Sequence, residues 1–191
     1  YNTLVMVSGN YKFTDKQLNK IKSWVEEGNT IIGIAGASKY LIDTKIVSET
    51  LIKDEKEKDI VHKSYVDARE NRGKEQIGGV ILNSIVDLTH PLGFGYEDSS
   101  VPVYKNNSVW LSPSKNEYSS VVRYSNDALI DGFMTEKNKG NLEKSVSFVV
   151  SKVGRGIAIL FADNPNFRGT WYGTNRLFLN AIFLRNKIYV P

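Results

Sequence analysis

The chain has 191 residues, 41% of them hydrophobic and 24% charged, with 15 glycines, 5 prolines and no cysteine; this is the profile of one globular domain and excludes disorder, collagen and a disulfide scaffold. The lack of cysteine removes thiol nucleophiles, thiolate zinc sites, iron–sulfur clusters and disulfides together, while leaving the compartment open. The 25 basic and 21 acidic residues leave a formal charge of +4, but the basic residues are spread along the chain with no basic, aromatic-interleaved face, so nucleic acid is not an expected partner. No apolar run approaches the ~20 residues that cross a bilayer, so no membrane span is expected.

Leu4–Val7 is a short apolar run closed by Ser8-Gly9-Asn10, a buried strand ending in a turn. Thr14 and Gln17 make a capping box, Leu18, Ile21, Trp24 and Val25 follow at helical spacing, and Gly28 stands where the helix should stop. Thr30–Ala35 is again a continuous apolar, β-branched run, followed at once by Gly36-Ala37-Ser38. Strand, helix, strand and a tight small-residue turn form a βαβ unit, which implies a parallel sheet covered on both faces. Tyr40–Ile52 has weaker helical periodicity, and the charged stretch from Lys53 to Gln76 reads as a surface helix or insertion.

Ile77–Leu82 returns to a strand and leads to the loop Asp87–Tyr96, rich in glycine and proline. A hairpin is expected from Val101–Tyr104 and Val109–Leu111 about Lys105–Ser108, then a short strand at Val121–Tyr124 and a short helix at Asp127–Phe133. Val146–Val153 and Ile157–Phe161 flank Gly154-Arg155-Gly156, a second hairpin signal. After the loop Phe161–Gly169, Trp171–Leu184 reads as a helix with Leu177, Phe178, Ala181 and Ile182 on its apolar side.

Few residues offer chemistry. His62 and His90 lie far apart, with no second ligand at helical spacing, so no metal site is expected in this chain. His62 reads as a surface residue of the charged stretch. His90 lies between Asp87 and a glycine-rich loop at a strand end, where open α/β sheets place ligands; it reads either as a site residue or as a loop-holding hydrogen-bond partner. Gly33–Ala37 is where a hydrolase of this architecture places a sharp elbow bearing a nucleophile, yet the apical candidates are Ala35 and Gly36. Ser38 follows too late and reads as the N-cap of the next helix, or else as a nucleophile with His90 as base. Asp163, Asn164, Arg168, Trp171, Tyr172 and Asn175 concentrate polar and aromatic groups around the final strand-to-helix connection. They form either a pocket wall or a network pinning the loop, with Arg168 paired to Asp163 or Asp87 and Trp171 filling core. Gly93-Phe94-Gly95 lacks the helix-opening glycine of a dinucleotide cradle.

Four strings carry a resemblance: FADNPNFRGTWYGTNRLFLNAIFL (Phe161–Leu184), DLTHPLGFGY (Asp87–Tyr96), VVRYSNDALIDGFM (Val121–Met134) and WVEEGNTIIGIAGASKYL (Trp24–Leu41). They resemble the C-terminal region of large secreted bacterial proteins whose N-terminal part is a carboxypeptidase A-like zinc peptidase, a region similar to a class I glutamine amidotransferase-like domain. The resemblance covers most of the chain and is weakest over Lys53–Gln76. It implies an α/β, flavodoxin-like three-layer sandwich with a mostly parallel central sheet plus an antiparallel hairpin, one domain over 1–191 with an insertion at about 53–76, and a strand and helix preceding Tyr1. Active members of that superfamily carry a G-I-C-x-G elbow; here Ala35 stands where the cysteine would be, and Phe161–Pro165 has no histidine where a His-Pro-Glu segment would fall. The implied function is a non-catalytic accessory domain of a secreted or periplasmic zinc carboxypeptidase-like protein, with zinc only in the upstream peptidase. Its expected partners are that peptidase domain in cis, a peptide or glycan ligand, and a second copy of itself. The rival expectation is a hydrolase in its own right, using His90 with Ser38 or Asp163.

Overall fold

The computed structural model describes residues 1–53, 64–68, 73 and 75–191. Most of the expected insertion, His62 included, lies outside the described residues. Among the described residues seven strands form one sheet in the order β1-β2-β7-β6-β5-β3-β4. They are β1 (Thr3–Met6), β2 (Thr30–Ile34), β3 (Val80–Val86), β4 (Ser100–Lys105), β5 (Val122–Asp131), β6 (Val146–Val153) and β7 (Gly156–Phe161). Among the described residues four α-helices are delimited alongside them: α1 (Asp15–Glu26), α2 (Gly36–Asp43), α3 (Glu136–Glu143) and α4 (Tyr172–Phe183).

The layers follow from side-chain alternation. Along β2, Ile31 points into a core shared with Val25 of α1 and Ala37 and Leu41 of α2. Its neighbour Ile32 points the other way, into a core with Leu92 and with Leu177 and Ala181 of α4. A strand covered on both faces must be apolar at every position, which is why β2 reads as an unbroken run. The flavodoxin-like α/β sandwich is therefore present. A third core lies between β3, β4, β5 and α3, where Leu82, Val103, Ala128, Met134 and Leu142 meet Trp110.

The sheet is more antiparallel than the mostly parallel one expected. β1 and β7 flank β2 in parallel; the pairings β7–β6, β6–β5, β5–β3 and β3–β4 are antiparallel. The change of sense comes at the β6–β7 hairpin, whose turn glycine Gly154 has φ +60 and backs onto Glu26 so closely that an added Cβ would lie 2.8 Å from its Cα. Ile34, Phe161, Phe148, Val122 and Val86 share one row across five strands. Beyond that row β5 keeps one pairing with β6, Arg123↔Val146, and then pairs with β3 alone, so the β3–β5 ladder projects past the ends of β2 and β7.

Two local expectations fail for identifiable reasons. The 127–133 stretch continues β5, because Asp127 takes φ 53 and makes a bulge after which pairing resumes at Leu129↔Leu82 and Asp131↔Ile81. The unforeseen helix follows it as α3, started by Thr135, whose hydroxyl accepts the Asn138 N–H. β4 turns to β3 for its partner and forms no hairpin with Val109–Leu111; Leu111 bridges to Leu51 and Val146. Asn107 directs that departure, accepting the Val109 N–H and donating to the Ala162 carbonyl, which draws the loop across the end of β7. By contrast, α1 carries both halves of the Thr14/Gln17 capping box.

Candidate functional site

β2 runs into α2 with a single residue between them, Ala35, at φ 51 and ψ −114. An alanine in that region costs of order 1–3 kcal/mol and persists only where its surroundings over-determine it. The Ala35 N–H donates to the Phe161 carbonyl at 2.7 Å, continuing the β2–β7 ladder by one bond. Flanking glycines permit the bend: a Cβ at Gly33 would lie 3.1 Å from the Ser38 backbone nitrogen, and one at Gly36 would lie 2.9 Å from Ser8 Oγ. This is the strand–elbow–helix geometry that aims a nucleophile from the end of a sheet, with a methyl group at its apex.

Ser38 is not the N-cap of α2, which begins at Gly36 without a side-chain cap. It lies inside the first turn, fully buried, and its Oγ donates to the Phe161 carbonyl at 2.9 Å. His90 is likewise committed to backbone: Nδ1 accepts the Leu92 N–H at 3.1 Å and caps the turn Pro91–Gly93. Burial holds its pKa below the usual 6.5, opposed by the Asp87 carboxylate. Asp87 accepts from the backbone N–H and hydroxyl of Thr89, and the hydroxyl bond does most to lower its pKa. β3 runs opposite to β2 and β7, so the chain leaving Val86 toward Asp87 and His90 heads away from the elbow.

Asp163, two residues past the end of β7, is the hub of a buried polar cluster. Lys105 Nζ lies 3.1 Å from Oδ1, with side-chain exposures of 0% and 2% for the pair. Tyr124 and Ser147 donate their hydroxyls to Oδ2 at 2.7 and 2.6 Å. Lys105 also donates to the Val109 carbonyl at 2.8 Å and lies 4.5 Å from the Trp110 ring centroid. Burial lowers the Lys105 pKa, against the pull of the Asp163 carboxylate. Burial, and then the Asp163 charge, raise the Tyr124 phenol well above its usual range. With both carboxylate oxygens bonded and the ammonium enclosed, the cluster clamps the curled β3–β5 ladder onto the end of β7.

The remaining loop residues form a pinning network. Asn164 Oδ1 accepts the Asn166 N–H, Asn175 donates to Asn166 Oδ1 at 2.7 Å, and Thr174 donates to the Pro165 carbonyl. Both expected partners of Arg168 are engaged elsewhere, Asp163 by Lys105 and Asp87 by Thr89. Arg168 instead sits exposed at φ 52, 5.4 Å from the Phe167 ring, which stacks on Tyr104. Trp171 is half-buried and donates its indole N–H to the Pro102 carbonyl rather than filling a core; Tyr172 is exposed. Lys105, Tyr124 and Ser147 were not singled out from sequence. Only Lys105 had a usable signal: Val101, Val103 and Lys105 alternate along β4, which places the lysine on the inward face. Among the described residues, no group of three or more histidines or carboxylates could hold a metal, and no helix is long and apolar enough to cross a membrane.

The chain matches no family model and no curated protein. It is similar in structure to a ThuA-like protein of Parabacteroides merdae (TM-score 0.59, 10% identity, covering 100% of this chain and 72% of that one). It is also similar to PurLQS from Thermotoga maritima (0.55, 14%, 95% and 79%) and to a GMP synthase-like protein of Thermoplasma acidophilum (0.54, 12%, 97% and 73%). The chain thus has a class I glutamine amidotransferase-like fold.

Proposed function

We propose that this chain is a non-catalytic accessory and interaction domain, a degenerate amidotransferase-like domain belonging to a secreted or periplasmic zinc carboxypeptidase-like protein. The observation that carries the reading is Ala35: the elbow keeps its strained backbone while its apical side chain has no nucleophilic atom. The groups that could replace it are engaged elsewhere, Ser38 with the Phe161 carbonyl, His90 with the Leu92 N–H and Asp163 with Lys105. That leaves less support for a hydrolase built on His90 with Ser38 or Asp163. The parentage rests on the resemblance of the Phe161–Leu184 and Asp87–Tyr96 strings. On this reading the domain packs against the peptidase in cis, contributes peptide or glycan binding or self-association, and holds no cofactor of its own.

The test is the full reading frame and its product. The reading expects an upstream zinc-peptidase ligand set and carboxypeptidase activity that survives Ala35→Gly and Asp163→Asn, while deletion of residues 1–191 changes stability or KM and leaves zinc-dependent turnover intact. A reading frame without a metallopeptidase would overturn it.

A further inference from the structure

With no cysteine the chain can form no disulfide, yet it encloses the two reactants of another crosslink. The pairs Lys39–Asp43 and Lys139–Glu136 stand in water, where both partners keep their charges at little cost. Lys105 and Asp163 are different: they touch at 3.1 Å with both side chains shut off from solvent. The Trp110 ring lies 4.5 Å from Nζ and the Tyr124 ring 6.0 Å from it, so apolar walls surround the ammonium. Two charges held there have lost their hydration, and a neutral product of the same pair would escape that penalty.

The surrounding hydrogen bonds sort the four reacting positions. Nζ faces Oδ1, and the Val109 carbonyl holds one of its protons at 2.8 Å. Oδ2 points the other way and accepts the Tyr124 and Ser147 hydroxyls at 2.7 and 2.6 Å. Two donors on the oxygen remote from the amine are the arrangement that stabilises an oxyanion during acyl transfer. We propose that Lys105 and Asp163 are the reacting pair of an intramolecular isopeptide bond, an amide between Nζ and Cγ that ties the end of β4 to the connection after β7.

The step balances without a co-reactant. One proton passes from Nζ to Oδ1, leaving a neutral amine beside a neutral carboxyl group, and burial already favours the uncharged lysine. The Nζ lone pair adds to Cγ while negative charge collects on Oδ2 under the two hydroxyls. Oδ1 then takes a second proton from nitrogen and leaves as water, and the Cγ–Oδ2 double bond is restored. One C–N bond forms, one C–O bond breaks, and nothing is oxidised or reduced. Enclosure fixes the reactants at a high effective concentration and keeps out the water that would reverse the reaction. The amide forms only from the folded, ion-paired chain, so newly folded protein presents the ion pair and ages into the bridge. This inference stands independently of the reading of Ala35.

The experiment is the intact mass of the 191-residue chain under denaturing conditions, followed from purification through several weeks at body temperature and neutral pH. A species one water lighter than the sequence should grow in with first-order kinetics independent of protein concentration. Its tryptic digest should lack cleavage after Lys105 and contain a branched peptide joining Lys105 to the segment that holds Asp163. Lys105→Met should lose no water whether or not it folds, which separates the bridge from succinimide closure at Asp163-Asn164, a loss of the same mass. Tyr124→Phe keeps the ring and removes one donor to Oδ2, and should form the bridge at least tenfold more slowly. A mass that stays at the sequence value, a water deficit retained by Lys105→Met, or an unslowed Tyr124→Phe would overturn the assignment.

Discussion

Replacing Asp163 by leucine removes the carboxylate paired with an enclosed ammonium and the shared acceptor of two hydroxyls. Lys105 would keep the Val109 carbonyl and the faces of Trp110 and Tyr124, while the Tyr124 and Ser147 hydroxyls would lose the Asp163 acceptor. Removing one partner of a buried pair costs about 3–5 kcal/mol, and each orphaned buried hydroxyl about 1–3 kcal/mol more. Lys105 can relieve part of this by losing its proton, which burial already favours, so a loss of about 4 kcal/mol or more is expected. That is a large share of the ~5–15 kcal/mol a domain possesses. Lys105→Met should cost less, about 3 kcal/mol, because Asp163 keeps its two hydroxyl donors. The double variant should be more stable than Asp163→Leu alone, since no charge is left buried and unpaired. Urea unfolding with unchanged m-values measures all three, and a double-mutant cycle should give a coupling of about 4 kcal/mol, larger than the cost of Lys105→Met alone. Additive single effects, or a cost below about 1 kcal/mol for Asp163→Leu, would refute the clamp.

His90→Ala should lower stability by about 1 kcal/mol at neutral pH through loss of the cap on Leu92. Because burial depresses the folded pKa of His90 below 6.5, its contribution is present above that value and lost as pH falls through the folded pKa; melting curves of parent and variant should converge on acidification, and a constant gap would contradict this. Gly156→Ala should cost about 3 kcal/mol or more in chemical denaturation, because its Cβ would lie 2.0 Å from the Val25 carbonyl oxygen and 2.2 Å from that of Asn29; near-parental stability would be inconsistent with that packing. Ala35→Gly should leave thermal stability within about 1 kcal/mol of the parent, strain relief offsetting glycine's entropy, while Ala35→Val should lose about 2 kcal/mol or more. Equal melts for the two would show that the elbow is not strained.

What could be read from the sequence and what could not separate on physical grounds. β2 and β7 announce themselves because strands buried on both faces are largely apolar, and β6 because apolar residues dominate it up to the Gly154 turn. α1 does so because its cap and spacing are local. The bend at Ala35 is visible in the small residues that close an apolar run. β5 is obscured because Asp127 interrupts its alternation with a positive-φ bulge, and α3 because among its eight residues only Leu142 is a buried apolar side chain. The Lys105–Asp163 clamp joins residues 58 apart in sequence through the curl of the sheet, and the Tyr124 and Ser147 donors to it lie on two further strands. Such a site belongs to the topology, and short-range patterns carry no trace of it beyond a lysine on an inward-facing position.

The most direct test is turnover by the purified 191-residue chain, assayed for glutamine, ester and C-terminal peptide hydrolysis beside Ser38→Ala, His90→Ala and Asp163→Asn. A chain whose elbow carries only a methyl group should hydrolyse none of these above the buffer rate. Saturable hydrolysis that one of the three substitutions abolishes, in a variant that still folds, would contradict the account.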